Sequence, residues 1–377
     1  MTRIPGMAGG AGSSNVIARP ATPAEVVSWD SLIASNPGGG EVWMGESYLT
    51  LKRDEGRYLV RHLIVDRTAK PSIAVGVLAK RVPLLGEWWH LPAGPDGEDI
   101  ESVIEAAEAV GRLARKHDAF LVKIEPRLAV AAYPDAAREI RSRGFVDTVR
   151  VIPNPSTVLV KVSTDAEPGT EQADMELLAS LGKKARNAIT RAARDGIVVT
   201  RAAATNEECA ALYRLLQETA EGRFVLRSEQ YYREFWQRFQ RSGDGQVFLA
   251  HRDGELVAGA FAMGLGQKTT YKDGASVRAK SGYGASHALQ WEVLRWANER
   301  GATVHDLCGA PPAGRVDDKT HPLHGVGQFK RSFSAEITDY PGAFDLPVKP
   351  RAFALWTKLG DRVMRRLSLL RWKDPYY

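Results

Sequence analysis

The chain has 377 residues, 44% hydrophobic and 25% charged, enough for two ordinary globular domains or one large one with a sizeable core. Its formal charge of +6, with a sequence pI near 9.2, suits a polyanionic partner without requiring one. Two cysteines, Cys209 and Cys308, with no Cys-x-x-Cys pair argue against a disulfide framework or a zinc site, and no run of 18 apolar residues marks a membrane-spanning helix.

Residues 1–20, rich in Gly, Ala and Ser, are expected to form a disordered leader. Arg57–Arg67, Ala74–Val82 and Glu87–Leu91 then read as strands, the last ending at Pro92-Ala93-Gly94-Pro95-Asp96-Gly97. Val103, Ala106, Ala107, Val110 and Leu113 fall on one face of a long helix, followed by a strand, Phe120–Glu125, and a helix, Pro134–Arg143, that stops at Gly144. Val151-Ile152-Pro153-Asn154-Pro155 reads as a linker. Beyond it come an extended segment, Thr157–Val162, a helix from Met175 to Arg194, a strand, Ile197–Arg201, and a helix, Glu207–Thr219. Val247–His251 and Leu256–Met263 form a hairpin about Asp253-Gly254; Thr269–Lys272 leads into Asp273-Gly274, read as a turn. A helix, Ser281–Arg300, and a strand, Thr303–Leu307, complete a second hairpin–strand–helix–strand series. Finding this order twice predicts an α/β chain of two tandem N-acetyltransferase-like (GNAT) domains. The first would span 21–152 plus 338–377 with a C-terminal helix, and the second 153–337.

Several residues could carry chemistry. Arg227 and Tyr231 are four apart, which on a helix brings them to one ligand, and an Arg fork suits phosphate. Tyr271, at a strand end, is placed for a ligand contact; as with Tyr231, a core residue with a satisfied hydroxyl is the competing reading. Lys183, Lys184, Arg186, Arg191 and Arg194 lie within a few helical turns, either as a solvated face or as phosphate contacts. Leu355, Leu359, Val363, Leu367 and Leu370 recur at helical spacing among Lys358, Arg362, Arg365, Arg366 and Arg371. That pattern fits a helix packed on its own domain or one lying on an anionic membrane surface. His321 and His324 are the one close histidine pair and lack companion ligands, so no metal is expected. Neither a Gly-x-Ser-x-Gly elbow nor a Walker loop occurs.

An ordered set of segments carries more than any one of them. It comprises Leu181-Gly182-Lys183-Lys184-Ala185-Arg186, Phe224-Val225-Leu226-Arg227 with Tyr231-Tyr232, Tyr271-Lys272-Asp273-Gly274, Leu289-Gln290-Trp291-Glu292, Asp306-Leu307-Cys308-Gly309, Gly325-Val326 with Phe329-Lys330, and Tyr340-Pro341-Gly342. From about residue 40 to 347, this set resembles the FemABX family, aminoacyl-tRNA-dependent transferases that build peptidoglycan cross-bridges. The short stretch between Arg201 and Gly222 leaves no room for the coiled-coil arm of some members, so the chain looks like the armless, FemX-like branch. The resemblance implies a substrate cleft between the domains. It further implies transfer of an amino acid from aminoacyl-tRNA, with no other cofactor, to the stem-peptide amine of a muramyl-peptide precursor, either lipid II or UDP-MurNAc-pentapeptide. Lys330, beside Phe329, matches the lysine to which the family assigns oxyanion stabilisation, a role a fixed ammonium can fill. Arg227, Tyr231 and Tyr271 match precursor-binding positions, and Lys52 is the candidate phosphate contact. Asp96 or Glu98 would supply a substrate-binding acid. Lys183, Lys184 and Arg186 are candidates for the tRNA acceptor stem. A cytoplasmic protein, peripheral at the inner membrane face, is the expected setting. Two rivals stand beside this reading: an acyltransferase using acyl-CoA through the turn Arg278–Gly284, disfavoured because Ala279 stands where an Arg or Gln is usual, and a non-catalytic binder of tRNA or precursor.

Overall fold

The computed structural model describes residues 16–68, 70–152, 154–221, 225–277 and 284–372. The first unit runs β1 (Ile17–Pro20), α1 (Pro23–Val27), α2 (Trp29–Ala34), α3 (Glu46–Asp54), β2 (Leu59–Arg67), β3 (Lys70–Val82), β4 (Gly86–Leu91), α4 (Ile100–Lys116), β5 (Ala119–Ile124), α5 (Ala136–Ser142) and β6 (Val146–Thr148). The second begins with β7 (Ser156–Lys161), α6 (Glu171–Ser180), α7 (Lys183–Arg194), β8 (Ile197–Ala202), α8 (Asn206–Ala220) and α9 (Glu229–Arg241). It continues with β9 (Gly245–Arg252), β10 (Glu255–Leu265), β11 (Lys268–Ser276), α10 (Ala285–Glu299), β12 (Val304–Gly309), α11 (His324–Lys330) and β13 (Thr338–Asp339). The chain then returns to the first unit as β14 (Ala343–Pro347), α12 (Pro350–Leu355) and α13 (Asp361–Trp372).

Each unit is a seven-stranded mixed sheet, ordered β1-β2-β3-β4-β5-β14-β6 and β13-β7-β12-β11-β10-β9-β8. Every pair is antiparallel except β4–β5 and β11–β12, so the two sheets share one plan. Local chemistry explains the elements. The Asp99 side chain accepts from Ser102 N at 2.8 Å and caps α4, whose alanines and valines turn inward. Asp253 and Gly254 both take positive φ, the conformation a two-residue hairpin turn demands. In β9, Val247 and Leu249 point to one face and Phe248 and Ala250 to the other, and all four are buried. The first face, with α8 and α9, joins an apolar cluster continuous with the first unit's core; the second packs on α6, α7 and α10. That shared cluster fixes the two units against each other.

The parallel pairs differ in a way that makes the site. β4 and β5 stay paired from Glu87–Ala119 to Leu91–Ile124, with one register shift after Glu87, and Glu125 N still donates to Gly94 O at 2.8 Å. β11 and β12 pair only at Lys268–Val304, Thr269–His305 and Thr270–Asp306. Beyond that, β11 follows β10 and β12 follows β7, so a wedge opens between them.

Several boundaries differ from expectation. Ile17–Pro20, assigned to the leader, pairs with β2 as an edge strand. β13 pairs with β7, so 338 and 339 belong with the second sheet, and the return begins after them. The helix expected over Met175–Arg194 is two, broken at Leu181-Gly182. There Gly182 N donates to Phe333 O at 3.1 Å, and a Cβ on Gly182 would lie 2.3 Å from Ser332 O. Asp273-Gly274 is not a turn but lies inside β11, where the register slips between Phe261 and Ala262 on β10. Arg227 precedes α9 and its N-cap, Ser228.

Candidate functional site

Lys330 ends α11 and is buried, its Nζ donating to Gly309 O at 2.9 Å, at the end of the splayed β12. The same ammonium lies 6.0 Å from the ring centroid of Tyr271 on β11, so it sits in the mouth of the wedge. Burial lowers the Lys330 pKa, with Cys308 and Asp306 opposing the shift. The Tyr271 hydroxyl lies where a Cβ on Gly274 would be, 1.5 Å away, so the missing side chain of Gly274 makes room for that ring. Phe329 does not face the wedge. It packs edge-on to His287 at 4.9 Å and Phe333 at 5.4 Å, and so seats α11 on the second core.

Asp306 holds the end of β12 in place. It accepts from Thr157 Oγ1 and from Cys308 N, fixing Cys308 at a positive φ of 60° just before the carbonyl that Lys330 binds. Its other oxygen accepts from Arg127 Nη2 of the first unit at 2.8 Å. Arg127 also lies 3.7 Å from Glu41 and 4.4 Å from the centre of the Tyr340 ring. These groups line a cavity of about 170 Å³ between the units, with Lys268 and Thr270. Burial raises the Glu41 pKa and pushes the Cys308 thiol up, which disfavours its thiolate.

A second cavity, of about 200 Å³, also lies at the junction. Lys52, Arg227 and Tyr231 line it together with Tyr48, Tyr232 and Lys272. The Arg227 guanidinium stacks 4.3 Å from the Tyr231 ring centroid even though Arg227 stands outside the helix, and Lys52 Nζ lies 5.3 Å from the same ring. Lys52 is also paired with Glu55 at 2.7 Å. Lys272, adjacent to Tyr271, pairs with Asp273 at 3.0 Å and joins this cavity to the Lys330 wedge through one strand.

Other expected residues go elsewhere. Glu98 is exposed and held by Arg67 at 2.6 and 2.9 Å. Asp96 accepts from Gly38 N and Gly97 N, and neither acid lines these cavities. Arg186 donates to the carbonyls of Ala179 and Leu181 and so closes the C-terminus of α6. Lys183 and Lys184 stay exposed at the start of α7. Lys184 acts on His287, whose pKa falls to about 4, chiefly through burial. The proposed CoA turn lies outside the described residues except for Gly284. Glu41, Arg127 and Lys272 were not singled out in sequence; only Lys272 had a signal, its place beside Tyr271.

A family model described as an acetyltransferase (GNAT) domain matches residues 179–320, which contain the wedge strands. The lipid II:glycine glycyltransferase of Staphylococcus aureus (strain MRSA252) is 20% identical over 406 residues, covering 89% of this chain and 94% of that protein. The chain is homologous to that glycyltransferase, a FemXAB-family protein. The crystal structure of FemX superposes with a TM-score of 0.73 at 18% identity, covering 91% of this chain and 99% of FemX. A conserved Bacteroides thetaiotaomicron protein of unknown function superposes at 0.50, with 14% identity over 88% and 99% of the two chains. The fold is therefore that of tandem GNAT-like domains. Among the described residues no group of His, Cys, Asp and Glu could hold a metal ion, and no helix is long and apolar enough to cross a membrane.

Proposed function

We propose that this chain is an acyltransferase that adds an amino acid to the stem-peptide amine of a peptidoglycan precursor, lipid II or UDP-MurNAc-pentapeptide, using aminoacyl-tRNA as donor. The observation that carries the reading is the buried Lys330 ammonium in the β11–β12 wedge, joined through β11 to a cavity lined by tyrosines and cations. Homology to the glycyltransferase over 89% of the chain supports the class of acceptor.

In this mechanism the precursor's amine attacks the ester carbonyl of the donor. A C–N bond forms, the ester C–O bond breaks, and the amine's proton passes to the departing ribose oxygen. Charge gathers on the carbonyl oxygen in between, and Lys330 Nζ turns from Gly309 O to meet it. Arg227, Lys52 and Lys272 would hold the precursor's phosphates while Tyr231 and Tyr271 pack against it. Lys183 and Lys184, at the positive end of the α7 dipole, would meet acceptor-stem phosphates. Binding two large substrates in register would supply much of the rate.

The match to a GNAT model favours one second reading, an acyl-CoA donor entering the same wedge. The deciding assay offers labelled amino acids on a charged tRNA pool to UDP-linked and lipid-linked precursor, with acetyl-CoA in parallel. Label on either precursor, lost in Lys330→Ala, supports the proposal. Turnover from acetyl-CoA alone overturns it, and precursor binding without any turnover points to a non-catalytic protein.

A further inference from the structure

Helices α12 and α13, with the turn Trp356–Gly360 between them, carry three rows of residues at i, i+4 spacing. Trp356, Gly360, Met364 and Ser368 form the row against the body. Trp356 and Ser368 are buried, Met364 packs on the first unit's core, and the Trp356 ring lies 5.4 Å from that of Phe120. One residue back in each turn, Leu355, Leu359, Val363 and Leu367 are 50, 62, 52 and 53% exposed, and Leu370 continues the row at 74%. On the far side of this row stand Lys358, Arg362 and Arg366, all exposed. Arg362, Arg365 and Arg366 line a groove of about 480 Å³ with Asp361 and Leu369.

Globular surfaces expose large apolar side chains singly; five in one continuous row mark a face that something covers. We propose that this face docks on an anionic lipid bilayer. The apolar row would enter the acyl–headgroup boundary while the cationic row beside it meets lipid phosphates, with the arginine-lined groove sized for a headgroup. Charge decides the occupant. From Trp356 to Trp372 the sequence holds five cations, Lys358, Arg362, Arg365, Arg366 and Arg371, against one acid, Asp361. A second copy placed face to face would set those cations against their own kind, whereas an anionic surface complements them. This inference does not rest on the proposed reaction, because docking needs only this helix and a bilayer.

The test is sedimentation of the full chain with vesicles of phosphatidylglycerol and phosphatidylcholine, against phosphatidylcholine alone. Binding to the anionic vesicles, weakened by salt, is expected. Partitioning should fall at least about tenfold in Leu359→Glu/Leu367→Glu and in Arg362→Glu/Arg366→Glu. Circular dichroism checks that each variant is folded, and Leu359→Ser/Leu367→Ser replaces the first if it is not. Absence of binding to anionic vesicles, or equal binding by the variants, overturns the proposal. So does a parent dimer in sedimentation velocity that Leu359→Glu/Leu367→Glu converts to monomer, since the row would then belong to a second copy.

Discussion

Lys330 is a buried cation that donates to a backbone carbonyl, a costly placement unless the charge is used. In the proposed transfer, Lys330→Met should lower kcat by about a hundredfold to a thousandfold while leaving precursor affinity within about threefold, because the charge acts on an oxyanion absent from the ground state. Single-turnover rates and equilibrium binding separate the two. Burial lowers the Lys330 pKa, so its proton leaves at lower pH than the 10.5 of a free lysine. An ammonium-dependent rate must therefore fall as pH rises through a midpoint below that value, and a limb at or above it would contradict the assignment. Gly274 supplies a subtler probe. A methyl there would lie 1.5 Å from the Tyr271 hydroxyl, so Gly274→Ala must displace the ring next to Lys330. Transfer should drop about tenfold or more, with a loss of stability of about 1–3 kcal/mol in urea unfolding.

At the scale of elements, the wedge depends on how β11 and β12 are held apart and how α11 is seated between them. The α6–α7 break contributes directly, since Gly182 N is bonded to Phe333 O three residues past Lys330. Where the strands still pair, His305 is completely buried between Thr269 Oγ1 at 2.7 Å and Gln290 Nε2 at 3.0 Å. Gln290 Nε2 donates to His305 Nε2, which leaves His305 Nδ1 to donate to Thr269 Oγ1 and the ring neutral. Burial holds its pKa at about 4 against 6.5 for a free histidine. Between those values the unfolded chain takes up the proton first. Stability is therefore full above the unfolded value and lost as pH falls through the folded one, by about 3 kcal/mol for this residue. Urea unfolding at several pH values across that window should show the slope, and His305→Gln should reduce it. His287 titrates in the same direction and leaves a remainder.

Across the whole molecule, polar links of two kinds join the units beside their shared apolar cluster. One is partly exposed: Arg238 donates to Thr50 at 3.0 Å and Asp54 at 2.7 Å, and its removal should cost no more than about 1 kcal/mol. The other is the buried group of Glu41, Arg127 and Asp306. Arg127→Ala leaves two carboxylates facing each other without their cation, which should cost about 3–5 kcal/mol. Because Asp306 also holds Cys308 N, the same change should loosen the Gly309 carbonyl and lower kcat more than it raises KM. A stability loss with unchanged kcat would separate the domain joint from the wedge.

Much of the fold was legible because its causes are local. Continuous apolar runs marked β9 and β10, and the Asp253-Gly254 pair marked their turn. The repeated element order followed from these, and so did the two-unit plan. Ile17–Pro20 escaped because four residues at a sheet edge carry no period of their own; only pairing with β2 makes them a strand. The Leu181-Gly182 break and the path of β11 through Asp273-Gly274 escaped for the same reason, each being set by a distant partner, Phe333 or Phe261. Lys52, Arg227 and Tyr231 could be named in sequence, yet their meeting in one cavity depends on α3 and α9 packing together across the junction. Sequence alone determined the repeated series of hairpin, strand and long helix and the charged groups it carries, because propensity, period and turn chemistry act over a few residues. Only tertiary structure decided where the wedge opens, which cation stands in it and that Arg127 reaches Asp306, because those depend on contacts whose partners lie far apart along the chain.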